Sequence, residues 1–262
     1  MDAPPFFRHV RQHWQWWMPR SSSIRNDLRL SMRKVIPALA VLLVTASAFL
    51  ALRQPEASSG RTDPALVDIT LLVDSVRATS YPQLKDEQIT LREMHSDHIY
   101  FESRFTFTSF FFSPRLHYII SYNPEATAKQ IPADGLRAIV AHELAHIDYY
   151  AKQRRMGLIG LTRLASAPFA ARFERSADLE AISLGYGPGL ASFRTWLYRN
   201  IPAAWMDEKK RDYFSPEEID AILTAARQSP QIMGKFTACV PRNLTEIQAE
   251  ANAPDAPCPA GQ

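Results

Sequence analysis

The spacing of apolar residues changes along the chain, and each change predicts a different kind of element. A helix is predicted to run to about Arg77, with Asp63 as its N-cap and Pro64 at its first helical position. Residues 88–122 are instead rich in aromatic and β-branched side chains, which favours two or three strands. The last of these strands is predicted at Leu116 to Tyr122.

Helical periodicity returns after the strands. A helix is predicted with Asp134 as its N-cap, and its apolar positions are Leu136, Ile139, Val140, Leu144 and Ile147. Further helices are expected at about Phe169 to Leu184, at 189–200, and from the capping-box residue Ser215 to about Arg227. This order predicts an α+β fold that is mainly helical, with a small antiparallel sheet before the helix at Asp134.

An apolar run near the N-terminus predicts contact with membrane lipid. Val35 to Leu52 is uncharged, and its 18 residues are just long enough to span a bilayer as a helix. Arg33 and Lys34 precede it, and residues 1–34 carry seven basic against two acidic side chains. The positive-inside rule then makes residues 1–34 a basic cytoplasmic tail and places the rest of the chain outside.

A cleaved signal peptide is the competing interpretation of the same run. Met32 to Ala48 has a basic start, an apolar stretch and a small-residue end, so residues 1–31 need not be translated. With an uncleaved anchor, we expect a single-pass protein of a bacterial inner membrane with a periplasmic C-terminal domain. With cleavage, the protein is exported. Residues 53–62 read as a linker in both cases.

Composition limits the other function classes. The chain has 262 residues, 46% of them hydrophobic, which allows one sizeable core plus appendages. A net charge of only +3 gives no support for nucleic-acid binding. We assign residues 63–239 to the globular domain and expect residues 240–262, rich in Ala, Pro and Asn, to form a poorly ordered tail.

The two cysteines both lie near the C-terminus, at Cys239 and Cys258. In an exported protein such a pair can form a disulfide bond. The alternative is two unpaired thiols in the tail.

The string "AHELAH" contains the pattern His142-Glu143-x-x-His146. On a helix, side chains four residues apart project from the same face, so both imidazoles can reach one Zn²⁺. Glu143 then lies beside the metal-bound water as a candidate general base. A catalytic zinc needs a third protein ligand, which must come from another part of the chain.

The next predicted helix offers that ligand in "FERSADLEA". Glu174 and Asp178 are again four residues apart, so Glu174 can bind the metal while Asp178 orients one of the histidines. The plainer alternative is that the histidines are partly buried polar residues and that the carboxylates form an ordinary charged face.

The two segments "LRAIVAHELAHI" and "FERSADLEAISLGYGPGLASF" resemble the membrane-associated gluzincin metallopeptidases, which include the CAAX prenyl proteases and the HtpX-like proteases. The resemblance covers about residues 115–195 and rests on H-E-x-x-H followed by E-x-x-A-D. It implies a zincin-like domain in which Zn²⁺ is bound by His142, His146 and Glu174. It further implies Glu143 as the general base and Asp178 as the residue behind the ligands.

The resemblance also implies where a polypeptide substrate binds. The strand from Leu116 to Tyr122 would be the sheet edge along which the substrate lies, with Leu116, Tyr118 and Ile120 as its contact positions. This chain has no room for membrane helices between its two motifs, so it looks more like the compact, single-anchor branch of the family than the multi-span one.

The sequence therefore predicts a zinc-dependent endopeptidase that acts on unfolded or membrane-proximal proteins. The alternative is a non-catalytic, membrane-tethered peptide-binding protein on the same fold. Residues that could stabilise the oxyanion are Tyr149, Tyr150, Arg172 and Tyr186, and the sequence favours none of them.

Overall fold

The computed structural model describes residues 64–258, so the predicted basic tail (1–34), apolar segment (35–52), linker (53–62) and N-cap at Asp63 lie outside the described residues. The helices are α1 (Pro64–Ser80), α2 (Phe107–Phe112), α3 (Glu125–Ala128), α4 (Ala133–Lys152), α5 (Arg155–Leu158), α6 (Ala167–Ala181), α7 (Gly187–Asn200), α8 (Met206–Asp212), α9 (Pro216–Gln228), α10 (Ile232–Cys239) and α11 (Leu244–Asn252). The strands are β1 (Gln88–Glu93), β2 (Phe101–Phe105) and β3 (His117–Tyr122). The predicted α+β class is confirmed at this level. No helix within residues 64–258 has the length and apolar character needed to cross a bilayer.

The sheet is mixed, so the prediction of an antiparallel sheet is wrong for one of its two strand pairs. The strand order is β1-β3-β2, with β1 parallel and β2 antiparallel to β3. β3 lies in the centre because its side chains from Tyr118 to Tyr122 are all buried, which is typical of a strand covered on both faces.

The prediction that β3 is the substrate edge is also wrong. β3 pairs on both sides, Tyr118 and Ile120 are 1% and 0% exposed, and Leu116 precedes the strand. The edge strand beside α4 is instead β2, which packs against that helix and pairs only with β3 in the described sheet. The family resemblance implies an edge here, but the burial of every residue from Tyr118 to Tyr122 is that of a central strand.

Helix α4 is the element around which the domain packs. Nearly every residue from Ala138 to Asp148 is buried, and the helix contacts α1, α6, α7 and β2. It begins two residues earlier than predicted, after Pro132, so Asp134 is not the N-cap. Asp134 lies in the first turn, where its charge is favourable to the helix dipole, and it accepts a hydrogen bond from Ser192.

The close packing of α7 on α4 depends on glycine. A Cβ atom at Gly189 would lie 2.4 Å from the carbonyl oxygen of Asp134 and 3.1 Å from Cβ of Ala138. α6 ends at Ala181, and a π-helical turn from Ile182 to Tyr186 leads into α7. The predicted break at Gly185 lies in this turn, where its φ of +92° is accessible to glycine.

The C-terminal region is more ordered than its composition predicted. The capping box of Ser215 and Glu218 is present at the start of α9. Asn243 caps α11 by accepting a hydrogen bond from the backbone of Glu246, and Ile247 is 1% exposed against the helices beside it. The expectation of a poorly ordered tail is therefore wrong for residues 244–252, because a cap and a buried isoleucine were overlooked.

Cys239 and Cys258 are joined by a disulfide bond. The bond ties the segment after α11 to the end of α10, so the globular domain extends beyond the boundary predicted at residue 239.

We expect Gly189→Ala to destabilise the domain, because the added methyl group meets backbone that must move. Overpacking of this kind costs about 1–3 kcal/mol in free energy of unfolding. Gly234→Ala is the matched control, since its Cβ would meet nothing within 4 Å in helix α10, and it should stabilise by about 0.5–1 kcal/mol. Denaturant unfolding of both variants measures the difference. Equal effects would show that α4 and α7 do not need this close approach.

Candidate metal centre

Helix α4 places two imidazoles side by side. His142 and His146 lie one turn apart and are 1% and 5% exposed, with their rings perpendicular. Their Nε2 atoms are 3.2 Å apart, so both nitrogens point at the same small volume. The i, i+4 spacing predicted this arrangement.

Helix α6 brings a carboxylate to the same point. Oε2 of Glu174 lies 3.2 Å from Nε2 of His142 and 3.1 Å from Nε2 of His146. One ligand atom from each of the three residues falls within 4.8 Å of the other two, so the cluster can hold a metal ion.

The electrostatics of the cluster favour a positive charge at this point. Burial acts to lower the pKa of His142, but the nearby carboxylates of Asp178 and Glu174 outweigh it and raise the pKa to about 10. Burial acts to raise the pKa of Glu174, but the two histidines lower it well below its usual range. Both shifts have the same cause, which is the mutual attraction between the carboxylates and the imidazoles of the cluster.

Asp178 contacts the ring nitrogen of His142 that does not face the cluster. Its Oδ1 lies 2.8 Å from Nδ1 of His142, in a close contact that is bent away from ideal hydrogen-bond geometry. The carboxylate also accepts hydrogen bonds from Arg194 at 2.8 Å and from the backbone N–H of Phe214 at 3.1 Å. Burial acts to raise its pKa, but these partners outweigh it and lower the pKa. Asp178 therefore stays ionised and orients the imidazole.

Glu143 lies next to the ligands on α4, 4% exposed, and lines the same cleft. Burial is the largest influence on it and raises its pKa, while the charges of the two histidines and the side chain of Ser103 act in the opposite direction. A carboxylate with a raised pKa beside a metal site is suited to accept and return a proton.

The cleft itself has a volume of about 370 Å³. Residues from β2, α4, α6, α7 and the segment around α8 line it, so the edge strand β2 and the ligand cluster share one cavity.

Several cleft residues were not found from the sequence. Arg194, Lys209 and Tyr213 all line the cavity, and the guanidinium of Arg194 lies 4.2 Å from the ring centroid of Tyr213. Arg194 had a signal, since it interrupts the apolar face formed by Phe193 and Leu197 on α7. Lys209 lies within the charged segment 207–212 and Tyr213 follows it, and neither had such a signal.

The four predicted oxyanion candidates lie in different places. Tyr150 lines the cleft, whereas Tyr149 packs on the outer side of Tyr150 and Phe173. The hydroxyl of Tyr186 shares a hydrogen bond with the hydroxyl of Ser80. Arg172 donates to the carbonyls of Ala238 and Cys239.

The structure brings together the five residues predicted for the site, namely His142, Glu143, His146, Glu174 and Asp178. No protein-family model, no curated protein and no solved structure matches the chain. The gluzincin resemblance therefore stays a prediction carried by the two motifs.

We expect Glu174→Ala to weaken binding of a divalent metal by at least roughly 100-fold, since even the partners behind a ligand contribute about 10–100-fold. Glu180→Gln is the matched control, because Glu180 is on the same helix but outside the cluster. Metal content after dialysis and competition with a chromophoric chelator measure the affinity. Equal metal content in the two variants would refute the assignment of Glu174 as a ligand.

Proposed function

We propose that this chain is a zinc-dependent endopeptidase of the gluzincin type. The observation that carries the proposal is the convergence of two imidazole nitrogens and one carboxylate oxygen in a cleft that also contains Glu143. Two histidines and a glutamate are a familiar ligand set of catalytic zinc, which keeps a further position open for water or substrate. The buried Asp178 behind His142 adds the outer partner that such sites use.

The proposed chemistry divides between the ion and the chain. A bound zinc ion would lower the pKa of a water molecule and polarise the scissile carbonyl. Glu143 accepts the proton from that water and returns it to the leaving amine. Asp178 keeps His142 in the orientation and tautomer that leave Nε2 free for the metal.

Tyr213 is the residue that we propose to stabilise the oxyanion. Its ring centroid lies 5.9 Å from that of His142, and Arg194 packs 4.2 Å from its centre on the same side of the cleft. Its neighbour Phe214 is fixed to Asp178 through the backbone. Burial raises the pKa of Tyr213 well above its usual value, so the phenol remains protonated and can donate a hydrogen bond.

The substrate is proposed to bind along β2 and not along β3. β2 is the edge strand that lines the cleft, with Tyr100 to Arg104 forming one wall. An extended peptide can add to such an edge through main-chain hydrogen bonds, which need little sequence specificity. This supports unfolded or membrane-proximal polypeptides as the substrate class.

The cellular location is part of the same proposal. The disulfide bond between Cys239 and Cys258 fits an oxidising compartment outside the cytoplasm. The apolar run at 35–52 would hold the domain at the membrane, and it lies outside the described residues.

We expect Glu143→Gln to retain the metal and the fold but to lose about 10²–10⁴-fold in turnover, the usual contribution of a general base. Asp134→Asn, on the same helix but in its exposed first turn, is the matched control and should keep parental activity. Cleavage of an unfolded, fluorescently labelled polypeptide by the full chain with zinc measures both. Unchanged turnover in Glu143→Gln would refute the mechanism. Metal and peptide binding without any cleavage in the parent would favour the non-catalytic peptide-binding protein.

We expect Tyr213→Phe to reduce kcat by roughly 100-fold with little change in KM, because an oxyanion donor acts mainly in the transition state. Tyr149→Phe is the control, since that hydroxyl belongs to a residue outside the cleft lining. The two constants are obtained from the same peptide assay. A change in KM alone would contradict this role and indicate a contact with bound substrate.

A further inference from the structure

A short helix next to the cleft exposes phenylalanine to solvent. α2 has the sequence FTSFFF, and Phe107, Phe111 and Phe112 are 51%, 52% and 85% exposed. These three residues form what we call the phenylalanine patch. Phe110 points inward and stacks on Phe105 with ring centroids 5.5 Å apart. The outward face of α2 is therefore apolar while its inward face already has a partner, which is unusual unless the surface binds something.

The patch is held firmly in place. Thr106 caps the start of α2 by accepting a hydrogen bond from the backbone of Ser109. At the other end, the guanidinium of Arg155 donates to the carbonyls of Phe110 and Ser113. Both ends of the helix thus have their backbone groups satisfied, so the exposed rings are not the result of a frayed helix.

The segments that carry and support the patch have a strong charge bias. Residues 103–124 and 149–173 contain no acidic residue at all. Their basic residues are Arg104, Arg115, Lys152, Arg154, Arg155, Arg163 and Arg172. The guanidinium of Arg155 donates a hydrogen bond to the carbonyl of Phe110 in α2, and Arg115 lies three residues after the end of α2. Arg104 and Lys152 pair with Glu102 and Asp148, whereas Arg115 and Arg154 are exposed, so these two residues supply the positive charge beside the patch.

We propose that the phenylalanine patch inserts into the headgroup region of an anionic lipid bilayer, with the exposed Arg115 and Arg154 facing the lipid phosphates. Aromatic rings beside basic side chains are the combination that binds such interfaces, because apolar burial and attraction to anionic lipid add together. A second copy of this chain is disfavoured as the occupant, because it would bring the same positive charges face to face.

Docking would also set the position of the cleft. β2 ends at Phe105 and leads through Thr106 into α2, so the strand that lines the cleft is continuous with the patch. Phe105 further contacts Tyr150, whose ring stacks near His146. The metal cluster would then open close to the bilayer surface. The docking itself requires no catalysis, so it can be tested independently of the proposed function.

The test uses the full chain reconstituted in vesicles. Phe112→Cys carries an environment-sensitive fluorophore, attached without reductant so that the native disulfide is preserved. Leu184→Cys with the same label is the control, because Leu184 is an exposed apolar residue, 41% accessible, that lies beyond the far end of α6. Vesicles of phosphatidylcholine with phosphatidylglycerol are compared with phosphatidylcholine alone, and a quencher on the lipid tails reports insertion.

We expect the emission of the fluorophore at position 112 to shift to the blue and to be quenched by the lipid-tail quencher in anionic vesicles. The emission of the fluorophore at position 184 should not change, because it stays in water. The double variant Arg115→Gln/Arg154→Gln should lower the equilibrium constant for docking roughly thirtyfold, because each basic charge near the surface contributes about fivefold. An unshifted label at position 112 would overturn the proposal, and so would equal shifts at both positions. A shift that appears without vesicles and grows with protein concentration would also overturn it, in favour of self-association.

Discussion

The buried carboxylate of Asp178 is the interaction on which the arrangement of the site depends. It is fully buried on α6, yet it contacts His142 on α4, Arg194 on α7 and the backbone of Phe214 before α9. An isolated charge in such a place would be strongly destabilising, so each partner is needed to offset its desolvation. Because these partners come from three other segments, the pairing of this one carboxylate fixes the relative positions of α4, α6, α7 and the segment before α9.

The same requirement explains why α4 is buried on almost every side. A metal-binding helix at a protein surface would leave its histidines free to rotate in water, whereas here the rings of His142 and His146 are held by Asp178, Phe173 and each other. Burying a whole helix requires small residues where neighbours approach. Gly189 on α7 and the alanines of α4 provide this, so the close approach at the glycine and the burial of the two histidines depend on the same packing.

The sequence predicted the parts of the site that depend on local geometry. Two i, i+4 pairs, His142 with His146 and Glu174 with Asp178, are set by helix periodicity, and the structure brings them together. The order of the strands could not be obtained from local spacing, because which of the three strands lies in the centre depends on contacts distant in the sequence. Tyr213 could not be found for the same reason, whereas Arg194 carried a local signal as a charge on the apolar face of α7. The tail was misjudged from composition, although Asn243 and Ile247 carried the local signals of a helix.

The proposed substrate edge β2 differs from the predicted edge β3 in what surrounds it. A peptide along the central strand β3 would have no free backbone to pair with, so that strand could not bind an extended chain. β2 offers that backbone, and it runs directly into the helix that carries the exposed phenylalanines. A polypeptide that reaches β2 must therefore pass close to an apolar, positively charged surface. If that surface rests on a bilayer, selection of substrates follows from position more than from side-chain recognition. A membrane-proximal chain is then favoured because it is already beside the edge, and a folded soluble protein is excluded because it offers no extended segment there. Selection by position would restrict the set of proteins that bind, even though the edge strand itself has little sequence preference.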